Sequence, residues 1–82
     1  MNFRQWVKLG LLRDDMIGDL CRDLDSDYDF DGTQRYVKAV TKNQVSRYAA
    51  NILILEYKDY NYEVKLIKQF YIETLFDSVE NI

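Results

Sequence analysis

One acidic stretch has residue types and spacing suited to metal chemistry. Asp27, Asp29 and Asp31 alternate along the chain and Gly32 follows, which matches the first six positions of an EF-hand calcium loop. In such a loop side-chain oxygens converge on the ion, and the glycine makes a sharp turn. The twelfth position, which needs a bidentate Glu, is Lys38. We therefore expect a solvated acidic loop that does not hold calcium tightly, and we expect no cofactor.

The other residues able to catalyse a reaction lack partners. Acid–base work by Asp14 and Asp15, or by Asp19 and Asp23, would need one carboxylate of the pair to be buried with a raised pKa. Both pairs instead fall on predicted helix caps or polar helix faces. Cys21 is the single cysteine and the chain has no histidine, which excludes a Cys- or His-based zinc site and a Cys–His nucleophile. The sequence therefore does not predict an enzyme.

The charge of the chain is segregated along its length. The net charge is −3, but residues 13–31 carry eight aspartates against two arginines, and residues 33–68 carry seven Lys or Arg against three acids. Such an asymmetry steers charged partners, and a row of carboxylates resembles a nucleic-acid backbone electrostatically. The alternative function is therefore nucleic-acid-directed, either as a weak binder or as an acidic inhibitor of a nucleic-acid enzyme such as a host-defence nuclease.

A weak nucleic-acid binder would use the basic and aromatic side chains that are interleaved in the second segment. Binding would need them on one face, with enough positive charge to release counterions from the phosphates. A pI near 4.8 makes nucleic acid an unfavoured partner. The side chains concerned are Lys38, Lys42, Arg47, Tyr36 and Tyr48.

Apolar spacing predicts a first helix that begins after Asn2. Phe3, Trp6 and Val7 fall at i, i+3 and i+4, with polar residues on the other face. Asn2 is placed to accept a hydrogen bond from a free N–H group of the first turn. We expect Trp6 to be a central core residue, packed where the first two helices meet.

Capping residues predict three further helices. Asp14 or Asp15 would cap the second helix, in which Gly18 implies the close approach of another backbone. Thr33 would cap a short third helix, and Thr41–Gln44 is a capping-box pattern with Thr41 as the cap of a longer fourth helix. The apolar residues expected on the inner face of the fourth helix are Val45, Tyr48, Ala49, Ile52, Leu53, Leu55 and Tyr57.

Residues 61–82 are compatible with both a strand and a helix. Every second residue from Tyr62 to Phe76 follows a strand-like alternation, but the length of the segment without Gly or Pro favours a helix. Eight large apolar or aromatic side chains in thirteen positions are too many to leave in water. We expect the segment to pack on its own bundle or against a second copy. The eight are Val64, Leu66, Ile67, Phe70, Tyr71, Ile72, Leu75 and Phe76.

Two motifs near the start of the chain follow a known pattern. They are Phe3-x-x-Trp6-Val7 and the run RDDMIGDLCRD of residues 13–23. Looser matches follow in the acidic loop at Asp29-Phe30, in the tyrosine-bearing stretch 36–40 and in the pair Glu56-Tyr57. Over about residues 2–60 the chain resembles the YozE-like family of short bacterial and phage proteins. The resemblance implies a sterile-alpha-motif-like helical fold, and it implies no activity and no functional residue.

The sequence thus predicts one all-α domain of residues 1–82, a small bundle of four or five short helices that is sterile-alpha-motif-like. Residues 2–60 would form its family-like core. The expected function is a non-enzymatic protein-interaction module or adaptor of bacterial, phage or mobile-element origin. No run of about 18 apolar residues occurs, so we expect a cytoplasmic protein off the membrane, with an unknown protein partner or a second copy as its partner. The candidate interaction residues are Asp19, Asp23, Asp29, Phe70 and Tyr71.

Overall fold

Helices make up all the regular structure of the described chain. The computed structural model describes the backbone of residues 1–80 and the side chains of residues 1–71. The helices are α1 (Phe3–Leu9), α2 (Met16–Ser26), α3 (Gln34–Val40) and α4 (Gln44–Glu80), and a 3₁₀ turn at Gly10–Leu12 follows α1. No strand occurs in residues 1–80. The prediction of a small all-α bundle is confirmed.

Three of the predicted helix caps are confirmed by hydrogen bonds. The side-chain oxygen of Asn2 accepts from the N–H of Gln5 at 2.8 Å, and the Gln5 side chain accepts from the N–H of Asn2, which completes a capping box at the start of α1. Asp15 Oδ1 accepts from the N–H of Gly18 at 2.8 Å, and Thr33 Oγ1 accepts from the N–H of Tyr36 at 3.1 Å. Each bond satisfies a backbone donor that the helix leaves free, so α1, α2 and α3 begin where the sequence predicts.

The predicted cap of α4 is wrong by two residues. Asn43 Oδ1 accepts from the N–H of Ser46 at 2.8 Å, so Asn43 is the residue that caps the helix. Thr41 is buried at the end of α3, where its hydroxyl donates to the carbonyl of Val37 at 2.7 Å. A threonine and an asparagine are both good caps. Asn43 is the cap because the hydroxyl of Thr41 is already bonded to α3, and α4 begins at the next residue, Gln44.

The core is formed by one face of each helix. Gly18 is buried in α2, where an added Cβ would lie 2.0 Å from the carbonyl oxygen of Arg13, so the predicted close backbone approach is confirmed. Three residues expected inside on α4, namely Val45, Tyr48 and Leu55, are 67%, 59% and 59% exposed. The buried residues of α4 are instead Ala49, Ala50, Leu53 and Ile54. The core residues are Phe3, Val7, Ile17, Cys21, Leu24, Phe30, Val37, Ala49, Ala50, Leu53 and Ile54.

Helix α4 is much longer than the short helices that the sequence predicted. It has 37 residues, and its continuation past the bundle gives the molecule dimensions of 58 × 23 × 23 Å. No glycine or proline occurs between residues 44 and 80, so no strong stop signal interrupts the helix. The prediction that the segment after Asn61 is helical is confirmed as far as Glu80. None of the helices in the described chain combines the length and the apolar character needed to cross a membrane.

Candidate interaction surfaces

One face of α4 carries a continuous apolar stripe beyond the bundle. We call Tyr60, Val64, Ile67 and Tyr71 the upper seam. Their spacing alternates between four and three residues, which places them along one side of the helix. Tyr60, Ile67 and Tyr71 are 38%, 67% and 63% exposed, and Val64 is half-buried. The upper seam is therefore a helix face that the described part of the chain leaves largely uncovered.

The same stripe continues downward into the bundle, where α1 covers it. Phe3 packs edge-to-face on Tyr57 with ring centroids 5.1 Å apart, and Trp6 lies 6.1 Å from Tyr57 and 5.2 Å from Tyr60 by the same measure. The indole N–H of Trp6 donates to the carbonyl of Leu53 at 3.2 Å. Trp6 is partly buried between α1 and α4, so the prediction that it fills the centre between the first two helices is wrong. Its position marks where the covered part of the stripe ends.

The flanks of the upper seam differ in chemistry. On one side Leu66 and Phe70 are 46% and 71% exposed, whereas Tyr62, which is 63% exposed, lies on the side of the helix opposite the upper seam. On the other side Lys65 and Lys68 are exposed. Of the predicted interaction residues, Tyr71 thus lies in the upper seam and Phe70 on its apolar flank. The predicted tail residues Ile72, Leu75 and Phe76 lie outside the described side chains.

The acidic residues of α2 border a second surface. Asp19 and Asp23 line a groove between α2 and the start of α4, together with Met16, Leu20 and Val45. The carboxylate of Asp19 forms an ion pair with Arg22 on the same helix. The groove therefore brings together two predicted interaction residues, but its acidic charge is partly offset from within α2.

The aspartates of the loop after α2 are used within the loop. Asp27 Oδ1 accepts from the N–H of Asp29 at 2.9 Å, and its other oxygen accepts from the hydroxyl of Tyr36. Asp31 Oδ1 accepts from the N–H and the hydroxyl of Thr33 at 3.0 and 2.6 Å. These bonds hold the pKa of Asp27 and that of Asp31 below the usual value. In the side chains described, these carboxylates do not converge into a group able to hold a metal ion.

Cys21 is buried, and Arg13 is paired with two carboxylates. Burial raises the pKa of the Cys21 thiol to about 11, which keeps it protonated and unreactive near neutral pH. Arg13 bridges Asp15 and Glu56 at 2.8 and 2.7 Å, and its bond to Asp15 is the main cause that lowers the pKa of that carboxyl. The cavity beside this bridge is about 110 Å³ and is lined in part by Trp6. Small-molecule sites usually measure roughly 300–1,000 Å³.

The predicted basic–aromatic patch is only partly assembled. Lys42, Arg47 and Tyr48 line one groove at the start of α4. Tyr36 instead points to the acidic loop, where it donates its hydroxyl to Asp27, and Lys38 is exposed on α3 outside that groove. Three of the five predicted residues therefore share a face.

No family model, curated protein or solved structure matches this chain. The resemblance to the YozE-like family and the sterile-alpha-motif-like fold therefore remain predictions. Any functional proposal depends on the geometry of the surfaces.

The continuity of the apolar stripe across the end of the bundle was missed in the sequence. The signal is the spacing of Leu53, Tyr57 and Tyr60 with Val64 and Ile67, which alternates four and three residues without a break. It was missed because the fourth helix and residues 61–82 were treated as separate segments, divided where the family-like part of the chain ends near residue 60. Tyr60 in particular belongs to both the covered and the uncovered part of the stripe.

Proposed function

We propose that the chain is a non-enzymatic protein-interaction module whose binding surface is the upper seam of α4 with its apolar flank. The observation that carries the proposal is the exposure of Ile67 and Tyr71, 67% and 63%, which share one face of a helix that projects out of the bundle. Contiguous apolar patches beyond a few hundred Å² are rare on monomeric proteins and mark sites of association.

The physical reason is that α4 gains little from its own bundle beyond Tyr60. A helix in water is stabilised mainly by packing of its apolar face against something else. Up to Tyr60, α2 and α3 pack on α4, and the side chains of Phe3 and Trp6 cover Tyr57 and Tyr60. Beyond it, a helical partner segment would supply the same kind of cover. The proposed bacterial, phage or mobile-element origin rests on the resemblance of residues 2–60 alone.

Charge substitutions on the two faces of α4 test this function. In Ile67→Asp a carboxylate replaces an apolar side chain in the upper seam. The matched control, Gln69→Asp, places the same charge two residues away, at an exposed position on the side of the helix opposite the upper seam. Each full-length chain is used to capture proteins from a nuclease-treated bacterial lysate and to capture an untagged copy of itself. We expect capture to be lost with Ile67→Asp and kept with Gln69→Asp. Equal capture by both variants would contradict the proposal.

Nuclease treatment of the lysate distinguishes the nucleic-acid-directed alternative from the protein-interaction module. Its basis is the exposed carboxylates of α2 and the groove that holds Lys42 and Arg47. Two of the acidic side chains, Asp15 and Asp19, are each paired with an arginine, which weakens the row of free charge that mimicry of a phosphate backbone requires. Partners that disappear on nuclease treatment, but are insensitive to Ile67→Asp, would favour the alternative.

A further inference from the structure

We infer that the partner of the upper seam is a second copy of this chain, whose α4 packs against it in the antiparallel direction. This inference rests on the proposed function, because it names the occupant of the same surface. It goes further by giving the geometry of the pair.

The spacing of the stripe is that of a helix-pairing seam. From Leu53 to Tyr71 the apolar residues follow the four-three alternation of positions a and d in a heptad, which two α-helices use to interlock along their length. Residues 61–80 provide about 30 Å of helix at about 1.5 Å per residue, or nearly three heptads. The occupant that this face fits best is therefore another helix of similar length.

The part of the stripe inside the bundle, from Leu53 to Tyr60, is already covered by other side chains of the chain. There two aromatic side chains of α1 cover the stripe: Phe3 packs on Tyr57, and the ring of Trp6 lies beside Tyr57 and Tyr60. A second helix placed on the upper seam would reach its end near Trp6. The half-covered ring of Tyr60, 38% exposed, would then be enclosed from both sides.

A second copy would cover the apolar seam of both chains in one interface. The upper seam is apolar and the exposed charges beside it are mixed, with Glu63 opposed by Lys65 and Lys68. A two-fold pair places the same patch against itself, so every apolar strip that needs cover also provides it. Two strips of this composition would bury on the order of 1,000 Å² in total, near the lower limit for a specific interface.

Steric exclusion decides the direction of the pair. The bundle stands on the same face of α4 as the upper seam, because Leu53 is buried in the core and side chains of α1 cover Tyr57 and Tyr60. In a parallel pair the two bundles would stand at the same level on facing sides and would occupy the same space. In an antiparallel pair they lie at opposite ends of the molecule.

Charge alone would favour the parallel direction. In heptad terms Glu63 of one chain would then meet Lys68 of the other, at the flanking positions that often carry ion pairs. An ion pair between exposed side chains is weak, however, whereas the overlap of two folded bundles is prohibitive. The antiparallel pair therefore prevails.

Sedimentation of the full-length chain across a concentration series tests the pairing. We expect the wild type to reach twice the single-chain mass of 9.8 kDa. Ile67→Asp and Tyr71→Asp should raise the dissociation constant by about 100-fold or more, since each places a charge in the centre of the interface twice. Gln69→Asp should leave it within about threefold, and far-ultraviolet circular dichroism should show that all four chains are folded.

The outcomes separate the two proposals. A wild-type chain that stays monomeric, while Ile67→Asp still abolishes capture of another protein, overturns the second copy and leaves the interaction module standing. A monomer whose binding does not respond to Ile67→Asp overturns both. For the direction of the pair, Val64→Cys is the probe because a position-a residue faces its own counterpart only in a parallel pair. Rapid disulfide formation between two copies of Val64→Cys under oxidation would overturn the antiparallel arrangement, and resistance to it is expected.

Discussion

Trp6 is the residue that joins the short helices to α4. Its ring touches Tyr57 and Tyr60, and its indole N–H reaches the carbonyl of Leu53. Large aromatic side chains contribute most when fully buried, and Trp6 is buried only in part. Its contribution to stability should therefore be smaller than that of a central core tryptophan.

Replacing Trp6 measures that contribution. Fully buried Trp→Ala changes cost about 3–5 kcal/mol of unfolding free energy, so Trp6→Ala should cost about 2 kcal/mol. Trp6→Phe keeps a ring but loses the hydrogen bond to Leu53, and it should cost about 1 kcal/mol. Urea unfolding monitored by circular dichroism gives both values. A loss of unfolding free energy above about 4 kcal/mol in the alanine variant would show that Trp6 acts as a fully buried core residue, contrary to its partial burial.

Tyr36 ties α3 to the acidic loop through its hydroxyl. The hydrogen bond to Asp27 is the largest cause that raises the pKa of Tyr36 to about 12, and desolvation adds to it. A group with a raised folded-state pKa stabilises the fold below its unfolded pKa and loses that contribution as the pH rises through the folded value. The bond should therefore weaken between about pH 10 and 12.

Alkaline titration checks this assignment. Tyrosinate absorbance should show one phenol that ionises near pH 12, and Tyr36→Phe should remove that late step. Asp27→Asn keeps the side-chain size but removes the charge, and it should bring the late step to lower pH. A late phenol that persists in Tyr36→Phe would mean that a different tyrosine is responsible.

The loop between α2 and α3 is ordered by its own carboxylates. Asp27 and Asp31 each accept two hydrogen bonds from neighbours within the loop or from α3. These bonds are typical of turns and helix caps, and they direct the oxygens to backbone and hydroxyl donors. To bind calcium, the loop would have to break several of them and still lack the Glu of the twelfth position, which is Lys38.

Calcium titration tests the loop directly. Millimolar calcium should leave the melting temperature and the circular dichroism spectrum unchanged, and magnesium serves as the control for ionic strength. The variant Asp29→Asn should behave as the wild type does. A saturable shift with a micromolar midpoint that Asp29→Asn abolishes would show that the loop binds the ion.

Helix α4 has two functionally different halves. Its first half carries the buried Ala49, Ala50, Leu53 and Ile54, which pack on the other helices. Its second half makes no comparable contribution to the core in the described side chains, since Ile67 and Tyr71 are mostly exposed. The bundle should therefore depend on the first half for folding and on the second half for association.

A chain that ends after Tyr60 separates these two roles. Its melting temperature at low concentration should stay within a few degrees of that of the Ile67→Asp variant, which keeps the full length but has a charged seam. Its mass should be that of a monomer at every concentration. If the shortened chain unfolds, the second half of α4 packs on its own bundle, contrary to the exposures observed.

The sequence predicted local features better than the extent of α4. The caps at Asn2, Asp15 and Thr33 follow from side chains that bond to donors two or three residues away, so short-range chemistry suffices. At Thr41 two capping residues compete, and only the structure shows that Asn43 is used. The length of α4 was underestimated although no stop signal occurs at Tyr60, because the strand-like alternation from Tyr62 and the end of the family-like part near residue 60 both indicated a separate segment.

At the scale of the whole molecule, the candidate surface depends on contacts that are distant in sequence. The covering of Leu53 and Tyr57 by α1 joins residues about fifty positions apart, and no periodicity within α4 reveals it. Those contacts decide where the apolar stripe is covered and where it is open. They also place the bundle on the seam side of α4, which sets the direction of the proposed pair.

The length of the particle in solution tests the central claim most directly. Small-angle X-ray scattering of the wild-type chain should give the mass of two copies and a maximum dimension of about 85 Å, which is twice the 58 Å length of one chain less an overlap of about 30 Å. The Ile67→Asp variant should give the mass of one copy and a dimension near 58 Å. A wild-type particle with the mass of one chain, or a two-chain particle no longer than the single chain, would contradict the antiparallel pairing of α4.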